Sequence, residues 1–153
     1  MTDVHDRMTR SFNMSQIKGK DTKPELLVRR YLFSRGFRYR LHDKGISGKP
    51  DIILPKYHSV IFVNGCFWHG HRGCKYFKIP KTRTKWWAKK IEATRIRDKR
   101  NKIILRQEGW RVITIFECKL KSRKYGQALK KLSRTIVNKP NHSKQNGRGC
   151  FQI

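Results

Sequence analysis

Val60-Ile61-Phe62-Val63-Asn64-Gly65-Cys66-Phe67-Trp68-His69-Gly70-His71-Arg72-Gly73-Cys74 joins a short apolar run to a segment carrying two cysteines, two histidines and two large aromatics. The apolar run has the length and β-branched character of a buried strand. Cysteine and histidine at such short spacing suit zinc, which takes thiolate and imidazole ligands in a tetrahedron. The local candidates are Cys66, His69, His71 and Cys74. Cys118 is a fifth, just beyond a second apolar run, Val112-Ile113-Thr114-Ile115-Phe116. A structural zinc takes four protein ligands, so five candidates compete for four places. If the two apolar runs are neighbouring strands, Cys118 reaches the loop and one histidine is released. Phe67 and Trp68 then ride on a stiff, metal-tied loop.

The rest of the chain says what such a loop is for. Among 153 residues there are 38 Lys and Arg against 10 Asp and Glu, a formal charge of +28. That excess opposes compaction and calls for a polyanionic partner, with nucleic acid the strongest candidate. Aromatics on a rigid projection of so basic a chain suit stacking on bases or wedging between them. No stretch approaches the roughly 20 apolar residues of a membrane span. The first residues lack the apolar core of a signal peptide. A cytoplasmic location follows, where cysteines serve as metal ligands or free thiols rather than disulfides. The length fits one domain with its own core.

Residues 1–20 are polar and basic and read as an arm with a short helix. Thr22-Lys23-Pro24-Glu25 fits a capping box, with proline accepted in the first turn. Leu27, Val28, Tyr31 and Leu32 follow at helical spacing, and Gly36 is a stop signal. Phe37 to Leu41 alternates like a half-exposed strand. Asp51-Ile52-Ile53-Leu54 and Val60 to Val63 read as adjacent strands joined by a tight loop. Trp86 to Glu108 contains neither Gly nor Pro and reads as a long helix ended by Gly109. Val112 to Phe116 is another buried strand, and a last helix is expected from Tyr125 to Val137. The domain spans 21–137, and 138–153 reads as a mobile basic tail, which makes Cys150 a poor ligand. The order of elements gives an α/β fold around one mixed sheet flanked by helices.

Three acid–base candidates stand out. Asp51 directly precedes an apolar strand, where a carboxylate is costly to bury without a partner. A carboxylate beside main-chain oxygens makes a reasonable magnesium site; a simple turn aspartate is the plainer reading. Glu25 is the third helical residue of the capping box, which taken alone is its favoured reading; the second is a carboxylate holding metal-bound water. His69 is the cluster histidine that zinc need not claim, and a neutral imidazole exchanges protons near pH 7. His42 and His58 lack such a context; His5, in the basic arm, suits a phosphate contact.

Taken together, Pro50-Asp51, Val60-Ile61-Phe62, Gly65-Cys66-Phe67-Trp68-His69-Gly70-His71, Lys78-Ile79-Pro80-Lys81-Thr82-Arg83-Thr84 and Gly109-Trp110-Arg111-Val112 resemble the very short patch repair endonucleases. Asp3-Val4-His5-Asp6, Thr9-Arg10-Ser11-Phe12-Asn13-Met14 and Asp21-Thr22-Lys23-Pro24-Glu25 belong to the same pattern, so the resemblance runs from Asp3 to about Leu120. It implies the core fold of type II restriction enzymes with a structural zinc added. It implies a monomeric enzyme, active at the bacterial nucleoid, that nicks double-stranded DNA 5′ of the thymine in a T·G mismatch. Such mismatches arise when 5-methylcytosine deaminates, which links the family to a cytosine-5 DNA methyltransferase. By resemblance Asp51 binds catalytic Mg2+, with the main-chain carbonyl of Val63 as a second ligand. Glu25 serves the same metal site and His69 transfers a proton. Cys66, His71, Cys74 and Cys118 hold Zn2+. Phe67, Trp68 and Trp87 form a wedge beside the mismatch, and Met14 of the arm inserts from the other groove.

Two features depart from the family pattern. Where its members often carry histidine or an acid, this chain has Asn64, which can hydrogen-bond but not accept a proton or carry charge. Asn64 thus keeps a place in the catalytic set while losing an acid–base role. The spacing from His71 to Cys74 is also one residue longer. Two other readings follow the same residues: a sequence-specific nickase that needs no mismatch, and a zinc-stabilised DNA-binding module without catalysis.

Overall fold

The structure, a computed structural model, describes residues 6–138 and 150–153. Residues 1–5, with His5 and the first three residues of the motif Asp3-Val4-His5-Asp6, lie outside the described residues, as do 139–149.

A single five-stranded sheet organises the chain, in the order β1 (Arg40–Leu41), β2 (Ile52–Leu54), β3 (Ser59–Asn64), β4 (Arg111–Phe116), β5 (Cys150–Gln152). β1, β2 and β3 are antiparallel neighbours, whereas β3, β4 and β5 run parallel. Both faces are covered, which is why the central strands are apolar throughout rather than alternating. Alternate residues sort between the two faces. Ile61, Val63, Ile113 and Ile115 join the core with Val28 and Leu32 of α2 (Lys23–Ser34) and Leu129, Leu132 and Ile136 of α5 (Tyr125–Val137). Val60 and Val112 turn the other way, onto Leu105 of α3 (Thr84–Gln107). The fold is therefore a mixed α/β layer structure, with α3 on one face and α2 and α5 on the other.

The capping box is present. Thr22 Oγ1 accepts from the Glu25 N–H at 3.4 Å, and Glu25 Oε2 reaches back to the Asp21 N–H at 3.0 Å. Gly36, at φ +83°, takes the left-handed turn after α2. α1 (Arg7–Ser15) is capped by Asp6, whose Oδ1 accepts from the Thr9 N–H at 2.6 Å, and none of its residues is buried. Among the described residues no helix is long and apolar enough to cross a membrane.

Two expectations are corrected, and one element is added that the sequence reading does not contain. The strand expected over Phe37 to Leu41 pairs only at Arg40 and Leu41, because its partner β2 is three residues long. A five-residue helix, α4 (Glu117–Lys121), follows β4 directly and buries only Leu120. The expected tail does not stay outside the fold: Cys150–Gln152 adds a strand along β4, and Ile153 is buried in the larger core. The open edge of β4 supplies the unpaired backbone groups that such a strand satisfies.

Candidate active site

Asp51 stands where the chain enters the sheet. Its N–H donates to the Ile61 carbonyl at 3.1 Å, and its Oδ2 accepts from the Val63 N–H at 2.7 Å. Burial pushes its carboxyl up to about 6, against the lowering effect of that hydrogen bond. Glu25 raises it further, while His42 and His69 pull it down. Each of these groups is therefore near enough to be felt electrostatically. Asp51, Glu25, Val63, Asn64, His69 and Asp98 all border one open cleft of about 930 Å³.

Glu25 is both cap and cleft residue. Its side chain is almost fully buried, and its Oε2 also receives Arg29 Nη2 at 2.8 Å. Arg29, itself buried, donates from Nη1 to Asp21 Oδ1 at 2.6 Å and lies 3.1 Å from His42 Nε2. Asp21, Glu25 and His42 are close enough to share a cation, but the guanidinium of Arg29 already serves that role between them. Asn64 is buried at the end of β3 and faces Phe116 across the sheet.

The parallel pairing of β3 and β4 brings Cys118 to the loop. The ligand atoms of Cys66, His71, Cys74 and Cys118 all lie within 4.8 Å of one another. His71 Nδ1 is 3.5 Å from Cys66 Sγ and 3.6 Å from Cys118 Sγ. Tetrahedral zinc, with bonds of about 2.3 Å to sulfur and 2.0–2.1 Å to nitrogen, sets such ligands about 3.6 Å apart. The donor set and its spacing therefore fit a closed structural metal site. Burial pushes the Cys66 thiol up to about 12, a tendency that metal coordination opposes. The His71 ring stacks on Phe116 at 3.9 Å, and Glu117 Oε1 accepts from the Cys66 N–H at 3.0 Å. His69 is not part of this group. Its Nδ1 lies 2.5 Å from Asp98 Oδ2.

Phe67, Trp68 and Trp87 form a half-buried aromatic group beside the cleft, outside both hydrophobic cores. Phe67 meets Trp68 at 5.1 Å and Trp87 at 5.2 Å, both edge-on, and Trp86 adds a more exposed ring 4.8 Å from Trp87. Lys90 Nζ sits 4.8 Å from the Trp86 centroid and 6.0 Å from that of Trp68, placing a positive charge against the group. Met14, the fourth wedge candidate, is on the exposed helix α1; Ile17 and Lys18 just after it line the cleft.

Two polar residues of the site escape a reading of motifs. Glu117 fastens the loop to the end of β4. Asp98 sits midway on the stripe Ile91-Asp98-Leu105, whose other two members are buried. An acid on the inward stripe of a basic helix is the signal that marks it.

The family model described as DNA mismatch endonuclease Vsr matches residues 2–75. The type II nicking enzyme V.NmeAIP of Neisseria meningitidis is 49% identical over 123 residues, covering 80% of this chain and 87% of that protein. The type II nicking enzyme V.XorIIP of Xanthomonas oryzae is 48% identical over 120 residues, 78% of this chain and 88% of that protein. The DNA mismatch endonuclease Vsr of Escherichia coli is 43% identical over 123 residues, 80% of this chain and 78% of that protein. Each of these three alignments spans more than three quarters of this chain, and on them the chain belongs to the very short patch repair (Vsr) family of DNA mismatch endonucleases.

Proposed function

We propose that this protein is a magnesium-dependent DNA endonuclease that nicks one strand 5′ of the thymine in T·G mismatches left by deamination of 5-methylcytosine. The observation that carries the reading is the meeting of a buried carboxylate, Asp51, with Glu25 and His69 in a cleft rimmed by half-exposed aromatics. Family membership supports it independently.

The Asp51 carboxylate and the Val63 carbonyl would hold magnesium, whose preference is for hard oxygen donors. The fit rests on Asp51 itself: its buried carboxyl, raised to about 6 and crowded by Glu25, is stabilised in its ionised form by a nearby cation. Magnesium bound there supplies a Lewis acid for the phosphodiester and eases ionisation of water. His69 borders the same cleft and moves a proton between its imidazole and the reacting oxygens. Glu25, fixed by Arg29 and the helix cap, orients water. Asn64 contributes hydrogen bonds only.

Recognition has two components. The charge of +28 binds phosphates without regard to sequence. Phe67, Trp68 and Trp87 wedge into the stack beside the mismatch, while the arm, residues 1–20, brings Met14 to the opposite groove. Zinc held by Cys66, His71, Cys74 and Cys118 makes the loop a rigid part of a restriction-endonuclease-like core. One chain carries every residue named, and a monomer suffices.

A strand-specific nicking assay on T·G duplexes in several sequence contexts, with paired duplexes as controls and with and without magnesium, tests the reading. Cleavage of one strand, only at the mismatch and only with magnesium, is expected. Equal cleavage of paired duplexes would identify a sequence-specific nickase. Binding without cleavage would identify a DNA-binding module.

A further inference from the structure

We propose that Lys49 is a catalytic residue: its ammonium group binds a non-bridging oxygen of the phosphate 5′ of the mismatched thymine and steadies the charge that gathers there as the strand is cut. The role rests on the nicking reaction proposed above.

The cleft around Asp51 holds more positive charge than its own acids satisfy. Lys18, Lys49, Lys90 and Arg97 border it. The acids that border it are engaged by other groups: Glu25 by Arg29 at 2.8 Å, Glu117 by Lys121 at 3.1 Å, Asp98 by His69, and Asp51 by the Val63 N–H at 2.7 Å. Lys90 lies over the tryptophan rings. Among the described residues no carboxylate pairs with Lys49 or Arg97. Cations left open on the wall of a cleft suit an anion that a partner brings.

Lys49 is set apart from the other cations by its backbone. Its φ is +48°, a left-handed conformation that is costly for any residue with a Cβ. It also precedes the buried Pro50, and a residue before proline is normally extended. Strain of this kind persists only where the surroundings impose it, and it collects at functional sites. The surroundings here are explicit. Ser47 Oγ donates to Glu108 Oε1 at 2.7 Å, which ties the loop to the end of α3. Gly48, at φ +72°, approaches α3 so closely that a Cβ would stand 2.8 Å from Asn101 Cβ. The Lys49 N–H donates to the Ile46 carbonyl at 3.3 Å, and two residues later the Asp51 N–H is fixed on the Ile61 carbonyl at 3.1 Å. Lys49 is thus rooted between a loop docked on α3 and the first residue of the sheet, and it borders the same cleft as the Asp51 carboxylate.

A phosphate held over Asp51 lies within reach of a lysine rooted two positions before it. As water attacks phosphorus, negative charge builds on the non-bridging oxygens. A cation already in place stabilises that state more than the ground state, because it need not reorganise. Lys49 makes and breaks no covalent bond in this role and keeps its protons throughout.

The test pairs Lys49→Gln and Lys49→Gly with T·G duplexes in which one phosphate at a time is replaced by a neutral methylphosphonate: the phosphate 5′ of the thymine, or its neighbour on either side. Binding of the full-length protein is measured without magnesium at several salt concentrations. With native protein, neutralising the phosphate 5′ of the thymine should reduce the slope of log K against log salt by about 1. Lys49→Gln should reduce the slope equally on the unmodified duplex and no further on the duplex neutralised at that phosphate, since both changes remove one contact. On unmodified duplexes with magnesium, Lys49→Gln should lower kcat by about 10²–10³-fold, as loss of one transition-state donor does. Lys49→Gly removes the same charge and relieves the left-handed backbone, so it should lose as much kcat while melting no lower than native protein. If Lys49→Gln fails to fold, Lys49→Gly carries the comparison. Additive slopes at the phosphate 5′ of the thymine, coupling to a neighbouring phosphate instead, or near-native kcat in the variants would overturn the proposal. Nicking that falls only in step with thermal stability would overturn it too, assigning Lys49 to the fold. A native protein that binds T·G duplex and cuts nothing would refute the nicking reading; the salt slopes need no cleavage and would still decide whether Lys49 meets that phosphate.

Discussion

Cys66 and Cys118 occupy equivalent places, each two residues beyond Asn64 and Phe116, the last register pair of the parallel strands β3 and β4. Parallel strands end on the same side of a sheet, so the two thiols emerge together. His71 completes the approach by stacking on Phe116, the residue that ends β4. The Cys/His group is thus the closing bracket of the sheet rather than an ornament on a loop.

Structural zinc in such a place contributes directly to folding. Natively purified protein should contain about one equivalent of zinc by elemental analysis. Cys118→Ser leaves three ligands and should lower the melting temperature markedly, with chelator no longer adding to the loss. Active protein without stoichiometric zinc would refute this.

Asp51 gives a pH-dependent prediction. Its carboxyl stands near 6 in the fold, whereas the ordinary value is 3.8. Between those values the folded state binds a proton that the unfolded chain has released. Stability should therefore rise as pH falls from about 6 toward 4, and the ionised carboxylate is a cost above that window. Two units correspond to about 3 kcal/mol, which partial solvent access reduces. Asp51→Asn keeps an oxygen for the Val63 N–H and removes the charge. Without added magnesium it should gain about 1–2 kcal/mol in urea denaturation at pH 7.5, nearly nothing at pH 4, and lose nicking altogether. Loss of stability at pH 7.5 would show that the carboxylate serves the fold instead.

Gly70 tests how tightly the loop is docked. Gly70→Ala adds a methyl where neighbouring atoms stand at 2.7 and 2.8 Å, on a left-handed backbone. Overpacking and strain together should cost about 1–3 kcal/mol. Because the loop carries both His69 and the aromatics, nicking should fall more than stability does. Thermal melting and a single-turnover nicking assay check the two effects side by side. Native behaviour in both would mean that the loop has room to shift.

What was legible in the chain was what lies close together along it. The strand Val60 to Val63, the ligand spacing after Gly65 and the capping box at Thr22 are local patterns, and each occupies its expected place. Spacing alone leaves both His69 and His71 available; the family resemblance favours His71, and His71 is the histidine whose ligand atom lies within 4.8 Å of those of Cys66, Cys74 and Cys118. β5 escaped notice because a three-residue strand owes its existence to the open edge of β4, not to its own pattern. Asp98 was hidden among the charges of a 24-residue helix whose composition speaks only of solvent. Its partner is 29 positions away, and only the packing of the loop at Gly70 makes them neighbours.

The aromatic group should supply mismatch preference. Phe67 and Trp68 sit between Cys66 and His71, and Trp87 braces Phe67 edge-on at 5.2 Å. The three rings are thus presented as a unit whose direction the Cys/His group and α3 fix together. The rings are half-buried and lie outside both cores, which leaves part of each open to a partner. Inserting them into a duplex costs a few kcal/mol of unstacking per base step, and less at a wobble pair that is already weakly held. A wedge at this position would convert that difference into selectivity. Phe67→Ala with Trp68→Ala should remove most of the preference for T·G over paired duplex in a competition binding assay. Non-specific affinity should persist with its steep dependence on salt, because phosphate contacts supply it. Trp87→Ala should give a smaller loss, since it removes the brace and leaves the tip. If the double variant melts much lower than native protein, the rings belong to the fold. If it stays folded and still prefers T·G, discrimination resides in Trp87 or in the arm around Met14, and Trp87→Ala and truncation before Asp21 tell the two apart.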